Sequence, residues 1–250
     1  MMKWALRWLR NIAIFFFGST LIMVVALKFV PVYLTPLMLT RCIEQMAAGD
    51  YPKMSHRWVP LEEISPHAAQ AVMASEDNLF LRLNGFDFEQ IYKARIEAMK
   101  GKRERGASTI TQQTAKNVFL WNGHSWLRKG LEAYFTVLIE HIWGKRRIME
   151  VYLNSIETGN GIYGVEAVAQ LHFGVHASQL TARQAALIAA TLPNPRSRNS
   201  AQPTAYLIKR RNQIVSLMGK IDAFDAQASK AQSASTATKS KKHGKKKRNK

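Results

Sequence analysis

Apolar residues run almost unbroken over residues 12–34, 23 positions in which Lys28 is the only charge. A helix of that length spans roughly 34 Å at about 1.5 Å per residue, enough to cross the hydrocarbon core of a bilayer. Pro31 and Pro36 mark where it is expected to stop, and Lys28 sits near that end, where its ammonium can snorkel to the interface. Lys3, Arg7 and Arg10 precede the run, with Trp4 and Trp8 among them. A positive flank stays in the cytoplasm, so the chain after about residue 35 is expected outside the cytoplasmic membrane. The competing reading is a cleaved signal peptide ending near Val24 and Ala26. The apolar stretch continues past both, which favours a retained anchor.

Beyond the run, residues 35–57 read as a short amphipathic connector. Residues 58–219 read as one mostly helical domain. Residues 61–75 are alanine-rich with an apolar period, and residues 88–100 form a second candidate helix stopped at Gly101. A charged loop follows at 102–106. Residues 108–120 suit a helix capped by Ser108. The strongest helical signal covers 126–154, where Leu127, Leu131, Tyr134, Phe135, Leu138 and Ile142 fall on one stripe and Gly144 is the point of interruption. Gly159, Gly161 and Gly164 mark a turn-rich loop, and an alanine-rich helix over 180–192 is ended by Pro193 and Pro195. No internal repeat is visible. From Asp225 the apolar period is lost, so residues 220–250 are expected to form a disordered basic tail.

With 47% hydrophobic residues the chain can build a core, which excludes a wholly disordered protein. Its formal net charge of +19 calls for an anionic partner: nucleic acid, membrane phosphate or a phosphorylated substrate. The last twelve residues hold eight Lys/Arg and no acid, and without them +11 remains, so the tail alone does not decide the partner. With the anchor in place the tail lies outside the cytoplasm, among lipid head groups or anionic wall polymers; a merely solvated tail is the plainer reading. Cys42 is the single cysteine, which excludes an intramolecular disulfide and a cysteine-based zinc site. The histidines show no metal spacing: His172 and His176 are four apart, but Gly174 between them weakens any shared helix.

Three segments carry candidate chemistry. Glu76 and Asp77 follow an apolar segment and precede Phe80; a carboxylate half-buried there would have a raised pKa and serve as a base, against the plainer reading of a surface acid at a helix end. Ser108, Thr109, Gln112, Gln113, Lys116 and Asn117 concentrate hydrogen-bonding groups beside the Gly106 turn, suiting either a phosphate site or simply a capped polar helix. Arg128, Lys129 and Glu132 lie off the apolar stripe, on a face with Thr136 and Glu140. They read as a surface ion pair worth a few tenths of a kcal/mol, or as a basic pair binding phosphate beside a second carboxylate.

Together these segments resemble the peptidoglycan glycosyltransferases of family 51. The resemblance covers about residues 58–195 and rests on AVMASEDNLF (71–80), GASTITQQTAKN (106–117), RKGLEAYFTVLIE (128–140), KRRIMEVYLN (145–154), GNGIYGVEAVA (159–169) and the 180–195 segment, in that order. The monofunctional form is the nearest match: one anchor and one catalytic domain, with no length left for a transpeptidase. The first family motif continues with a His and then a Gly two places on; here these positions are Leu83 and Gly85.

The resemblance implies a mainly α, lysozyme-like domain with a small membrane-facing lobe; Met38, Leu39, Ile43, Met46, Tyr51 and Met54 of the connector are expected to dip into the outer leaflet of the membrane. It implies polymerisation of lipid II, with a lipid-linked nascent glycan as donor, a sugar 4-hydroxyl as acceptor and a β-1,4 linkage formed with inversion. Glu76 is then the general base. Glu132 orients the basic groups or assists departure of the pyrophosphate. Lys116, Arg128 and Lys129 stabilise that leaving group. Asp77, Phe80, Ser108, Thr109, Gln112, Gln113 and Asn117 are the remaining substrate contacts. No cofactor is required and no metal ligands are named, with a divalent cation (Mg or Mn) at the pyrophosphate left open. Membrane lipid and other wall-synthesis proteins are the further partners, and nucleic acid is not one. A lytic hydrolase and a non-catalytic wall-binding scaffold are the alternatives; neither a hydrolase nor its sugar groove accounts for the RKxxE and STITQQ segments.

Overall fold

A computed structural model describes residues 2–101, 106–123 and 125–224. Of the charged loop expected at 102–106 only Gly106 lies within that range, and the tail expected at 220–250 lies outside it from residue 225 onward.

Helix α1 (Met2–Leu27) starts earlier and stops sooner than the apolar run suggests. No helix breaker lies before Gly18, so the polar flank joins the helix. Its end follows from Pro31, whose ring in a continued helix would clash with the Leu27 carbonyl four residues back. Within it, Leu6–Leu27 is long and apolar enough to cross a membrane, consistent with a single-pass anchor. Lys28 follows the helix rather than ending it.

Helix α2 (Pro36–Ala47) is capped by Thr35 and begins on proline, whose missing N–H costs nothing there. Leu37 and Met38 turn inward against Tyr163. Leu39, Ile43 and Met46 stay exposed, as do Tyr51 and Met54 beyond the helix end. Met38 therefore departs from the lipid-facing set expected of the connector: it is fully buried.

The domain itself is built from eight further helices among the described residues: α3 (Pro66–Glu76), α4 (Phe88–Met99), α5 (Ile110–Phe119), α6 (Trp126–Ile142), α7 (Gly144–Ser155), α8 (Val165–Phe173), α9 (Ala182–Thr191) and α10 (Ala205–Met218). The single helix expected over 61–75 is split into a 3-10 turn, Leu61–Glu63, and α3, because Ser65 precedes Pro66 and a pre-proline residue avoids helical angles. Likewise the long helix expected over 126–154 breaks at Gly144, whose φ of +75° redirects the chain from α6 into α7.

Two packing units result. Helices α3, α9 and α10 stack on one another, with Ala68, Ala69, Ala71, Ala185, Ala186, Ala189 and Ala190 buried where they meet the larger Ile188, Leu207 and Ile214. Helix α5 packs on α6 and α7. The expected glycine loop is the hairpin of β2 (Glu157–Gly159) and β3 (Ile162–Tyr163), and β3 also pairs in parallel with β1 (Ser55–His56). Strands of two or three residues leave no alternation to read. Gly161 turns the hairpin at φ +71°, where any Cβ would collide with the Lys53 carbonyl. Asn154 of α7 ties down the stretch after β1 by accepting from the Val59 amide and donating to the Val59 carbonyl, both at 2.9 Å.

Helix α1 docks on this body. Its Thr20 hydroxyl is 2.8 Å from that of Tyr134, and Phe16 and Phe17 pack on the Tyr134 ring. Trp143 donates its indole N–H to the Val24 carbonyl at 2.7 Å. The Arg147 guanidinium caps the end of α1, donating to the carbonyls of Leu27 and Val30, while it pairs with Glu150 and stacks on Trp58. A cation on terminal helix carbonyls is favoured both by hydrogen bonding and by the helix dipole.

Candidate active site

Helix α6 buries only part of the stripe its pattern suggests. Leu127 is 70% exposed, while Leu131, Tyr134, Leu138 and Ile142 are half-buried against the core. The side chains turned inward are Arg128, Glu132, Phe135, Thr136 and Ile139. Phe135 alone of the expected stripe is fully buried, stacked on Phe119 at 4.4 Å between ring centres. The polar face points inward because its partners are polar too: α5 presents Thr111, Gln112, Thr114 and Asn117, all buried. Tyr134, on the outer stripe, receives α1. The surface ion pair thus gives way to a buried one. Glu132, 3% exposed, accepts from Arg128 at 3.2 Å and pairs with Lys129 through its other oxygen. Arg128 Nε is buried with no partner among the described residues.

Glu76 ends α3, half-buried, with both oxygens engaged. Ser75 Oγ donates to Oε1 at 2.9 Å and Gln113 Nε2 donates to Oε2 at 3.2 Å. Burial pushes the pKa of the neighbouring Asp77 up to about 6, although the Ile110 amide and Lys145 pull the other way. Asp77 accepts that amide at 3.1 Å, holding the start of α5 against the end of α3. The helix cap is Thr109 rather than Ser108: Thr109 and Gln112 form a reciprocal capping box, and the Thr109 hydroxyl donates to the Gly85 carbonyl at 2.7 Å. Gly85 lies against α6 with φ +85°, where a Cβ would sit 2.9 Å from Thr136 Cγ2.

Lys116 is half-buried on α5, its pKa lowered by burial against the opposing pull of Glu132, with Arg128 and Lys129 as further charges around it. Lys129 is exposed, and Ser108 and Gln113 are half-buried. Phe80, Thr109, Gln112 and Asn117 are each at least 97% buried, and Thr109 and Gln112 spend their side chains on the cap of α5. Over Phe80 lies the Lys145 ammonium, which pairs with Glu140 and donates to the Leu83 carbonyl, each at 2.6 Å. Leu83 is therefore used through its backbone carbonyl, which any residue supplies.

A second charge cluster escaped the sequence reading. Arg41 of α2 pairs with Glu44 at 2.6 Å and with the buried Glu157 of β2 at 3.3 Å. Arg41 and Glu157 stand 116 residues apart, so no spacing joins them. The isolated Glu157 gave no signal, and the folded chain leaves its Oε1 buried without a partner among the described residues.

The chain thus joins a mostly helical domain to an apolar first helix consistent with a membrane anchor, with a buried carboxylate held by two cations inside the domain. Residues 43–219 match the family described as Transglycosylase, and the chain belongs to it. It is similar to the biosynthetic peptidoglycan transglycosylase of Bacteroides thetaiotaomicron, 56% identical over 240 residues that cover 96% of this chain and 97% of that protein. Proteins of the same description from Bdellovibrio bacteriovorus (51% identity, covering 84% of each chain) and Caulobacter vibrioides (47%, covering 86% of this chain and 93% of that one) are also similar to it.

Proposed function

We propose that the chain is a peptidoglycan glycosyltransferase that polymerises lipid II into β-1,4-linked glycan in cell-wall synthesis. Family membership supports the reaction class. The observation that carries the assignment of roles is the pairing, across α5, of a half-buried carboxylate held by two donors with a buried carboxylate held by two cations.

Glu76 takes the proton from the acceptor 4-hydroxyl as that oxygen attacks the anomeric carbon of the lipid-linked donor. The bond to the pyrophosphate oxygen breaks on the opposite face, which inverts the configuration, as in an inverting glycosidase with a sugar hydroxyl in place of water. Charge grows on the departing undecaprenyl pyrophosphate. Lys116, Arg128 and Lys129 meet it, and the unpartnered Arg128 Nε is a donor left for an anion. Glu132 fixes the two cations nearest it. No cofactor enters this scheme. Among the described residues no three acidic, His or Cys side chains converge as a metal cage, and Glu132 is already engaged by cations, so a Mg or Mn ion fits this donor set poorly and no step is routed through one.

Both substrates are tethered in a membrane by their lipids, and an anchored enzyme meets them there. The positive flank of α1 sets the N-terminus inside and the domain on the outer side of the inner membrane. The exposed Leu39, Ile43, Met46, Tyr51 and Met54 enter its outer leaflet beside the anchor. Polymerisation of purified lipid II by the detergent-solubilised protein tests the reading. Long glycan from the wild type and none from Glu76→Gln is the expected result; a folded wild type that binds lipid II without forming polymer overturns it.

A further inference from the structure

Behind Glu76 stands a group that the mechanism above does not use. Tyr152 of α7 is completely buried, and its hydroxyl donates to Gln113 Oε1 at 3.2 Å. The same glutamine donates through Nε2 to Glu76 Oε2 at 3.2 Å and lies 3.5 Å from the Ser108 carbonyl. Tyrosine, amide and carboxylate thus form one chain crossing α7, α5 and α3, three segments separated by 39 and 37 residues.

A glutamine amide has an accepting end and a donating end, and only one orientation serves the carboxylate. Turned the other way, it would set its oxygen against a Glu76 oxygen. Tyr152 opposes that turn by giving Oε1 a buried proton donor. Burial raises the Tyr152 pKa well above its ordinary value, and the nearby Glu76 and Asp77 charges act in the same direction, so the hydroxyl keeps its proton and remains a donor. Ser75 holds the other Glu76 oxygen. The carboxylate plane is then fixed from both sides, and each oxygen keeps a lone pair for the incoming proton.

We propose that Tyr152 is a positioning residue for the general base, acting through Gln113 to hold the Glu76 carboxylate in the orientation that receives the acceptor proton. This rests on Glu76 being the base. It gives a role to the aromatic position of the KRRIMEVYLN segment, which family resemblance alone left without one.

The test is a double-mutant cycle on the full-length protein polymerising lipid II, using Tyr152→Phe, Gln113→Met and the pair, with Glu76→Gln beside them. Tyr152→Phe keeps the ring and removes one oxygen. It is expected to lower kcat about tenfold, the scale on which small misplacements of a reacting group act, with KM within about twofold. Gln113→Met keeps the length of the side chain and removes both hydrogen bonds, and is expected to lower kcat at least as far. The double variant should match Gln113→Met alone, because the tyrosine has nothing left to orient. A wild-type kcat in Tyr152→Phe, or an equal loss from Tyr152→Phe in the Gln113→Met background, overturns the proposal. Should Tyr152→Phe fail to fold, Gln113→Met decides alone: a kcat loss at near-constant KM supports the chain, and a wild-type kcat ends it. Glu76→Gln separates the two claims. If it still polymerises, the base assignment fails; if it is dead while Tyr152→Phe is normal, only the positioning role fails.

Discussion

Helices α9 and α6 are both central to the domain, yet they meet their neighbours with opposite chemistry. Helix α9 buries Ala185, Ala186, Leu187, Ile188, Ala189 and Ala190, and its interior is a packing surface. Helix α6 turns Arg128, Glu132 and Thr136 inward and leaves Leu127 and Val137 outside. The difference teaches that a helix can turn part of its apolar stripe to a neighbouring helix, here α1, while it buries its polar face as well. Substitutions in α9 should therefore change stability and leave the rate per folded molecule alone; those on the inner face of α6 should change both.

The sharpest way to break this comparison is Arg128→Ala. If the pair were a surface one it would cost a few tenths of a kcal/mol. Arg128→Ala takes one of the two cations from the buried Glu132 carboxylate and leaves Lys129 on the other oxygen, so the expected loss is about 1.5–3 kcal/mol by denaturant unfolding, together with a loss of polymerisation. Ile188→Ala in α9 is the counterpart. It should cost about 2–5 kcal/mol through the cavity it leaves, with the rate per folded molecule unchanged; a large fall in that rate would blur the distinction.

Asp77 gives an effect of pH between these extremes. Burial raises its folded pKa from 3.8 to about 6, so the stability that comes from the protonated form is complete below about pH 4 and is lost as the pH rises through 6. Asp77→Asn keeps an acceptor for the Ile110 amide and removes the charge. It should flatten stability between pH 4 and 7 and be the more stable form at pH 7 by up to about 3 kcal/mol. An unchanged slope in unfolding experiments across that range would place the titrating group elsewhere. The smallest effect belongs to the outer stripe of α6: Tyr134→Phe loses one hydrogen bond to Thr20 and should lower stability by about 1 kcal/mol with no change in rate.

The same contrast explains what the sequence made legible. Alanine and leucine periodicity located α3 and α9 because those helices bury what their patterns advertise. It located α6 as a helix and missed that its polar face is buried too, since Glu132 and Arg128 look like a solvated pair until α5 supplies a polar surface to receive them. Ser108 and Thr109 are equally good caps on residue type, but Thr109 alone has a glutamine three places on, Gln112, to complete a capping box. Ordered motifs brought Glu76, Lys116, Arg128 and Glu132 into view through family resemblance. The Arg41–Glu157 pair and the bond from Tyr152 to Gln113 join distant segments, and no local pattern encodes them.

The most direct test of the inward polar face is the polymerisation rate of Glu132→Gln per folded molecule, measured where variant and wild type are both fully folded. Glutamine fills the same volume but cannot hold Arg128 and Lys129 as a charged pair. The expected result is a fall of at least about a hundredfold, the scale of losing one element of preorganised electrostatics. A wild-type rate would contradict it and return the inner face of α6 to a purely structural role.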